Sequence, residues 1–160
     1  MLSVDLIYLG NEKDKHYNDA ADEYIKRLSA FCMFRSKNLK DERLSPQPSQ
    51  NEISAALEKE GKRILESVPD RSYKIAMCIE GKQMSSEEFA ALIESVPQRG
   101  YSGVSFIIGS SCGLSDEVKS KCDLKLSVSK MTFPHKLFRV MLLEQIYRAF
   151  SIISGGKYHK

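Results

Sequence analysis

Three short stretches carry residue types that could do chemistry. The first is His135-Lys136-Leu137-Phe138-Arg139, an imidazole and two cations at the start of a long apolar run. A histidine can move a proton near neutral pH, and a guanidinium can stabilise an anion beside it. The second is Gly109-Ser110-Ser111-Cys112-Gly113, which fits the G-x-S-x-G pattern of a serine nucleophile between a strand and a helix. Ser111 would attack, with Asp116 or Asp123 and His135 or His159 following in the required order. A glycine-rich turn after a strand is more commonly a plain turn or a ligand contact, so a small hydrolase ranks second. The third stretch is the terminal Tyr158-His159-Lys160, an aromatic, an imidazole and an ammonium that together suit a base and a phosphate.

Charge points the same way. From residue 125 to 160 there are seven Lys or Arg against one acid, Glu144, although the whole chain carries only +3. A basic end on an acidic body suggests a polyanionic partner, which keeps a non-catalytic RNA-binding module as another alternative. Neither GxGxxG nor GxxxxGK[ST] occurs, so the usual dinucleotide and P-loop signatures are absent. Cys32, Cys78, Cys112 and Cys122 are scattered without a CxxC pair, and only three histidines are present, so no metal site is expected. Reduced cysteines and an N-terminus without a signal-peptide pattern suggest a cytoplasmic protein. No run of about 18 apolar residues suggests a membrane span.

The elements that must position these residues alternate strand with helix. Leu2–Leu9, Cys32–Leu39, Tyr73–Ile79, Val104–Ile108 and Asp123–Val128 read as strands. Helical spacing covers 17–31, with Ala21, Tyr24, Ile25, Leu28 and Phe31 on one face, and a second helix runs from a cap at Asn51 to Ser67. Ser85 and Glu88 form a capping box for a third helix, which ends at Val96 before Pro97. Ser115-Asp116-Glu117 starts a short one, Glu80-Gly81-Lys82 reads as a turn, and 41–52, with Pro46 and Pro48, as the most mobile loop. The last helix, Pro134 to Ser154, ends at Gly155-Gly156 and is apolar on almost every side. Such a helix needs cover on several faces, which predicts a homodimer. The alternation predicts an α/β fold, a mainly parallel sheet with helices on both faces, in a single domain over 1–160. Ligands bind at the carboxyl ends of such strands, which selects the loops at 79–81, 109–113 and 127–134.

The stretches IIGSSCGLSDEV, LSVSKMTFPHKLFRVMLLEQIYRAFSI and the terminal YHK resemble the bacterial SPOUT-class methyltransferases that act on N3 of a pseudouridine in large-subunit ribosomal RNA. The likeness extends over the chain, including VDLIYLGNEKDKHY and the IEGK turn. It implies a C-terminal deep trefoil knot, which no periodicity reveals. It also implies a homodimer and S-adenosylmethionine as the methyl donor. The donor site carried over by motif is Met77, Gly109, Val128, Ser129, Lys130, Met131, Thr132 and Phe133. Many relatives have two glycines where this chain has Gly109-Ser110. His135, Arg139 and His159 are the expected catalytic residues, with the choice of histidine open. Lys130, Arg139, Tyr158 and His159 are expected to contact the RNA, presented by the assembled ribosome.

Overall fold

A computed structural model describes residues 1–10 and 13–160. In chain order the elements are β1 (Ser3–Leu9), α1 (Lys15–Leu28), β2 (Met33–Leu39), α2 (Gln50–Ser67) and β3 (Ser72–Gln83). They continue with α3 (Ser86–Ser95), a 3-10 turn (Pro97–Arg99), β4 (Gly103–Ile108), α4 (Asp116–Lys121), β5 (Leu124–Ser127) and α5 (His135–Ile153). The five strands form one sheet in the order β2-β1-β4-β3-β5, and every pairing is parallel.

A parallel sheet covered on both faces needs strands that are apolar in nearly every position, because alternate residues meet different layers. β4 meets that demand: all six of its residues are buried. Val104, Phe106 and Ile108 join Val4, Leu6 and Ile75 in the larger core layer, under α1, α3 and α5. Ile107 and Ala76 point to the opposite layer, where Ile64 of α2 and Val118 of α4 close over them. α5 supplies Leu142, Leu143 and Ile146 to the larger layer, all fully buried. Each such side chain contributes roughly 1.5–3 kcal/mol through burial. The outer turns of α5, at Leu137, Met141 and Ile153, are only half covered.

One charged group sits inside the sheet. Asp5 of β1 is 1% exposed, opposite Arg35 of β2 in the strand register. Arg35 donates two hydrogen bonds to it, at 2.9 and 2.8 Å, and Lys37 lies 3.4 Å away. A buried carboxylate held by a guanidinium fork fixes which residues of the two strands face each other.

The structure corrects two sequence expectations. α2 is capped by Ser49, whose hydroxyl accepts the Glu52 amide at 3.2 Å, and not by Asn51. Serine stands three residues before that free amide, the distance a capping hydroxyl spans. Glu80-Gly81-Lys82 is not a turn between elements. β3 continues through it as a bulge, and its pairing with β5 shifts between Met77 and Lys82. A Cβ on Gly81 would lie 2.7 Å from the Leu126 backbone, so glycine lets the bulged strand press against β5. In the loop after β2, the Glu42 amide donates to Glu60 at 2.9 Å. The capping box at Ser85 and Glu88 forms as expected.

Candidate functional site

Because the strands are parallel, the ends of β1, β3, β4 and β5 open at one edge of the sheet. The bulged stretch of β3 and the loops following β4 and β5 enclose a cleft of about 390 Å³ there. Their local chemistry explains their shapes. After β4, the Gly113 amide donates to the Ser110 carbonyl at 2.8 Å, closing a turn that needs φ +84° at Gly113. A side chain on Gly109 would put its Cβ 2.2 Å from the Gly113 oxygen, so that turn closes only over glycine. After β5, the Ser127 hydroxyl donates to the Ser129 carbonyl and the Met131 amide donates to the Ser129 hydroxyl, both at 2.9 Å. This loop folds on its own polar groups and leaves its apolar side chains outward.

Ile79, Val128 and Met131 are large exposed hydrophobics, 51%, 38% and 75% accessible, and all three line the cleft. An exposed apolar rim around a concavity marks a ligand site. Met77, Leu114, Phe133 and Phe138 continue the apolar wall inward. Across the mouth, Lys119 donates to Glu80 at 2.5 Å and holds that carboxyl below its ordinary range. The lining therefore combines apolar walls, loop backbone and one ion pair, which suits a flat heterocycle with a charged extension.

A second cavity of about 360 Å³ adjoins the cleft and shares Ile108, Ser111 and His135 with it. Arg139 is buried here, its guanidinium 4.7 Å above the Tyr8 ring and its NH1 donating to Asn18 Oδ1 at 3.3 Å. Asp41 also lines this cavity. Lys136 donates to Asp14 at 2.6 Å, and that contact holds the Asp14 carboxyl below its usual value. The pair of cavities gives one apolar chamber beside one cationic chamber, joined at a histidine.

The sequence-selected residues divide in two. Met77, Gly109, Val128, Ser129, Met131, Thr132, Phe133 and His135 all line the cleft. Arg139 lines the adjoining cavity together with His135, whereas Lys130 is exposed on the loop between β5 and α5 and lines neither cavity. The tail goes elsewhere in the protomer. Tyr158 packs on Tyr147 with ring centroids 4.8 Å apart and donates to Glu144 at 3.1 Å. Burial, with hydrogen bonds to Tyr24 and Glu144, pushes its phenol up to about 12. His159 contacts Glu87 at 2.7 Å and Arg148 at 3.1 Å. Ser111 and His135 share a cavity, but Asp123 bonds the Lys74 amide and the Tyr101 hydroxyl instead. No Ser-His-Asp relay is assembled among the described residues.

Sequence reasoning missed Tyr8, Asn18 and Asp41 in the second cavity. Gly10, with φ +119° immediately after β1, was the available signal that the end of β1 also borders a site. Asn18 and Asp41 had none, since a polar residue in a helix or loop reads as solvated. Among the described residues no helix is long and apolar enough to cross a membrane, and no cluster of metal-binding side chains is found.

A family model described as "Predicted SPOUT methyltransferase" matches residues 2–159. A protein of Clostridium acetobutylicum named ribosomal RNA large subunit methyltransferase H is 48% identical over 159 residues, 99% of this chain and 100% of its own. One of the same name from Streptococcus thermophilus is 50% identical with the same coverage. Among solved structures, a probable methylase family protein from Haemophilus influenzae superposes with a TM-score of 0.53 at 13% identity, covering 99% of this chain and 70% of that one. A structure described for 2-OH methylation of C/U34 on tRNA gives a TM-score of 0.51 at 17% identity, covering 96% and 98%. At these identities the two structures speak to the fold alone. The match over nearly all residues and the near-half identity to full-length relatives lead to one conclusion: the chain belongs to the SPOUT methyltransferase family.

Proposed function

We propose that this chain transfers a methyl group from S-adenosylmethionine to N3 of a pseudouridine in large-subunit ribosomal RNA. The observation that carries the reading is that His135 lines both the apolar cleft and the adjoining Arg139 cavity. The naming of the full-length relatives supports the RNA and the subunit. Pseudouridine N3 follows from the resemblance of the C-terminal motifs.

The cleft's residues fit the donor. Apolar side chains from Met77, Leu114 and Phe133 would flank an adenine, and loop backbone around 128–132 would read its edge. Bound there, S-adenosylmethionine supplies a methyl group already activated on a sulfonium. The chain's own work is alignment, charge and one proton. An imide nitrogen attacks well only after losing its proton. Arg139 favours the resulting anion, and exposed Lys130 adds to that field. His135, at the wall common to both cavities, is placed to accept the proton.

The chain works as a homodimer in this reading. A groove of about 470 Å³ runs between α3, β5 and α5, lined by Met84, Phe89, Val128, Val140 and Met141. A second copy seated there would cover the half-exposed side of α5. Glu144, which holds Tyr158, borders the same groove, so each tail would lie at the interface. Tyr158 and His159 would then contact RNA at the neighbouring copy's cleft. We also infer the family's trefoil crossing, supported by a chain that leaves β4, passes β3 and pairs on its far side as β5.

Mass analysis of ribosomal RNA from cells lacking the gene tests the activity. A single methyl should vanish from one large-subunit pseudouridine, return with the wild type and stay absent with Arg139→Ala. An unchanged methylation pattern removes the proposal. Mixed dimers test the crossing tail. A tail deletion on one subunit and Gly109→Ala on the other should retain one intact site, whereas both lesions on one subunit should retain none.

A further inference from the structure

We propose that Glu60 is a positioning residue that holds the wall shared by the donor cleft and the acceptor cavity; the inference rests on the methyltransferase reading above. Glu60 falls four residues after Ala56 and four before Ile64, within the buried stripe of α2, and is 2% exposed. A carboxylate in an apolar stripe is costly unless its oxygens are bonded. Both are. Oε1 accepts the Ser110 hydroxyl at 2.7 Å and Oε2 accepts the Glu42 amide at 2.9 Å.

Those two partners come from different loops with one destination. Ser110 follows β4, between Gly109 of the cleft and Ser111, and itself lines the acceptor cavity. Glu42 follows β2 and is joined to Asp41, which also lines that cavity. One buried side chain therefore ties together two segments that line the cavity. Arg63, one turn further along α2, donates to the Lys40 carbonyl and the Glu42 carboxylate, each at 3.0 Å, and steadies the same segment.

The neighbouring glycine makes the reach possible. A Cβ on Gly61 would lie 2.9 Å from Ser115 Oγ and 3.0 Å from Val118 Cγ2. Ser115 caps α4, so the missing side chain lets α2 lie against the start of α4, just beyond the Gly109–Gly113 turn. Glycine inside a helix is unfavourable, as is a buried acid, and an apolar pair would serve stability better. The two together make sense for positioning. Ser110 supplies the hydroxyl that Glu60 binds.

The test uses the purified full chain and Glu60→Gln, Ser110→Gly and the double variant. The readouts are S-adenosylmethionine affinity by calorimetry, melting temperature without ligand, and kcat and KM for methyl transfer to ribosomes. Glu60→Gln keeps the shape but removes the charge, so neither contact remains charge-assisted even where the carboxamide NH2 donates to the Ser110 oxygen. It should weaken donor binding about tenfold and lower kcat by a similar factor, with a loss of only a few degrees in melting temperature. Ser110→Gly should cost roughly two- to fivefold alone and add little in the Glu60→Gln background, because the two share one contact. A Glu60→Gln variant with wild-type affinity and turnover, changed only in melting temperature, overturns the proposal. If that variant does not fold, Ser110→Ala decides it: unchanged affinity and kcat overturn the positioning role, and a loss in both supports it. A wild-type chain that gives no heat with S-adenosylmethionine fails at the earlier step and removes the donor reading itself.

Discussion

Replacing Gly109 by alanine puts one methyl where the structure has no room for it. Its Cβ would stand 2.2 Å from the Gly113 oxygen, 2.5 Å from the Gly113 carbonyl carbon and 3.0 Å from Leu114 Cγ. Two of these three contacts are backbone, which cannot rotate away as a side chain would. The turn must open by more than 1 Å, roughly the shortfall against an ordinary contact near 3.5 Å. Opening it stretches the 2.8 Å bond from the Gly113 amide to the Ser110 carbonyl. Overpacking of this kind costs about 1–3 kcal/mol and the bond about 1 kcal/mol more. For a chain this long that corresponds to a melting temperature roughly 5–15 °C lower. The loop also walls the cleft, so calorimetric binding of S-adenosylmethionine should weaken by at least about tenfold in protein that is still folded. Gly109→Ala with wild-type affinity and a melting point within about a degree would refute the claim that this close-packed turn shapes the donor site.

Other outcomes follow from the same structure. Arg139→Lys keeps a charge but loses the planar stack on Tyr8 and the bond to Asn18, so kcat should fall on the order of tenfold to a hundredfold while donor KM stays nearly constant. Steady-state kinetics would separate the two. Ile146→Ala opens a cavity at a fully buried site and should cost about 2–5 kcal/mol in urea unfolding. Tyr158 titrates at about 12 instead of 10, so docking favours the neutral phenol. Its contribution is intact below pH about 10 and is lost as pH rises through the raised value. An ultraviolet titration should show a late-ionising tyrosine that Tyr158→Phe removes; identical curves for the two proteins would contradict the tail's docked position.

Much of this architecture was legible because it rests on period and punctuation. The β4 segment is apolar at every position but Ser105, and Ser85 with Glu88 declares a helix start through reciprocal caps. The cleft was legible for a related reason, since strand ends in a parallel sheet can only open at one edge. What escaped was set by packing between segments distant in sequence. The bulge at Gly81 exists because β5 lies against it, and no local pattern reports β5. Glu60 looks like a solvated helix residue until Ser110 and Glu42 are seen against it, fifty and eighteen residues away. The tail's aromatic and imidazole suggested RNA contact, and in the protomer they close against α5 and the start of α3. In the proposed dimer they would meet RNA at a second copy's cleft.

Transfer of an isotopically labelled methyl group from S-adenosylmethionine to purified ribosomal particles, followed by nucleoside mass analysis, bears most directly on the joined cavities. Label should enter one pseudouridine, at N3, in the large subunit of assembled ribosomes, and Arg139→Ala should leave the RNA unlabelled. Label on a ribose, on a small-subunit nucleotide, or on nothing at all would contradict the account.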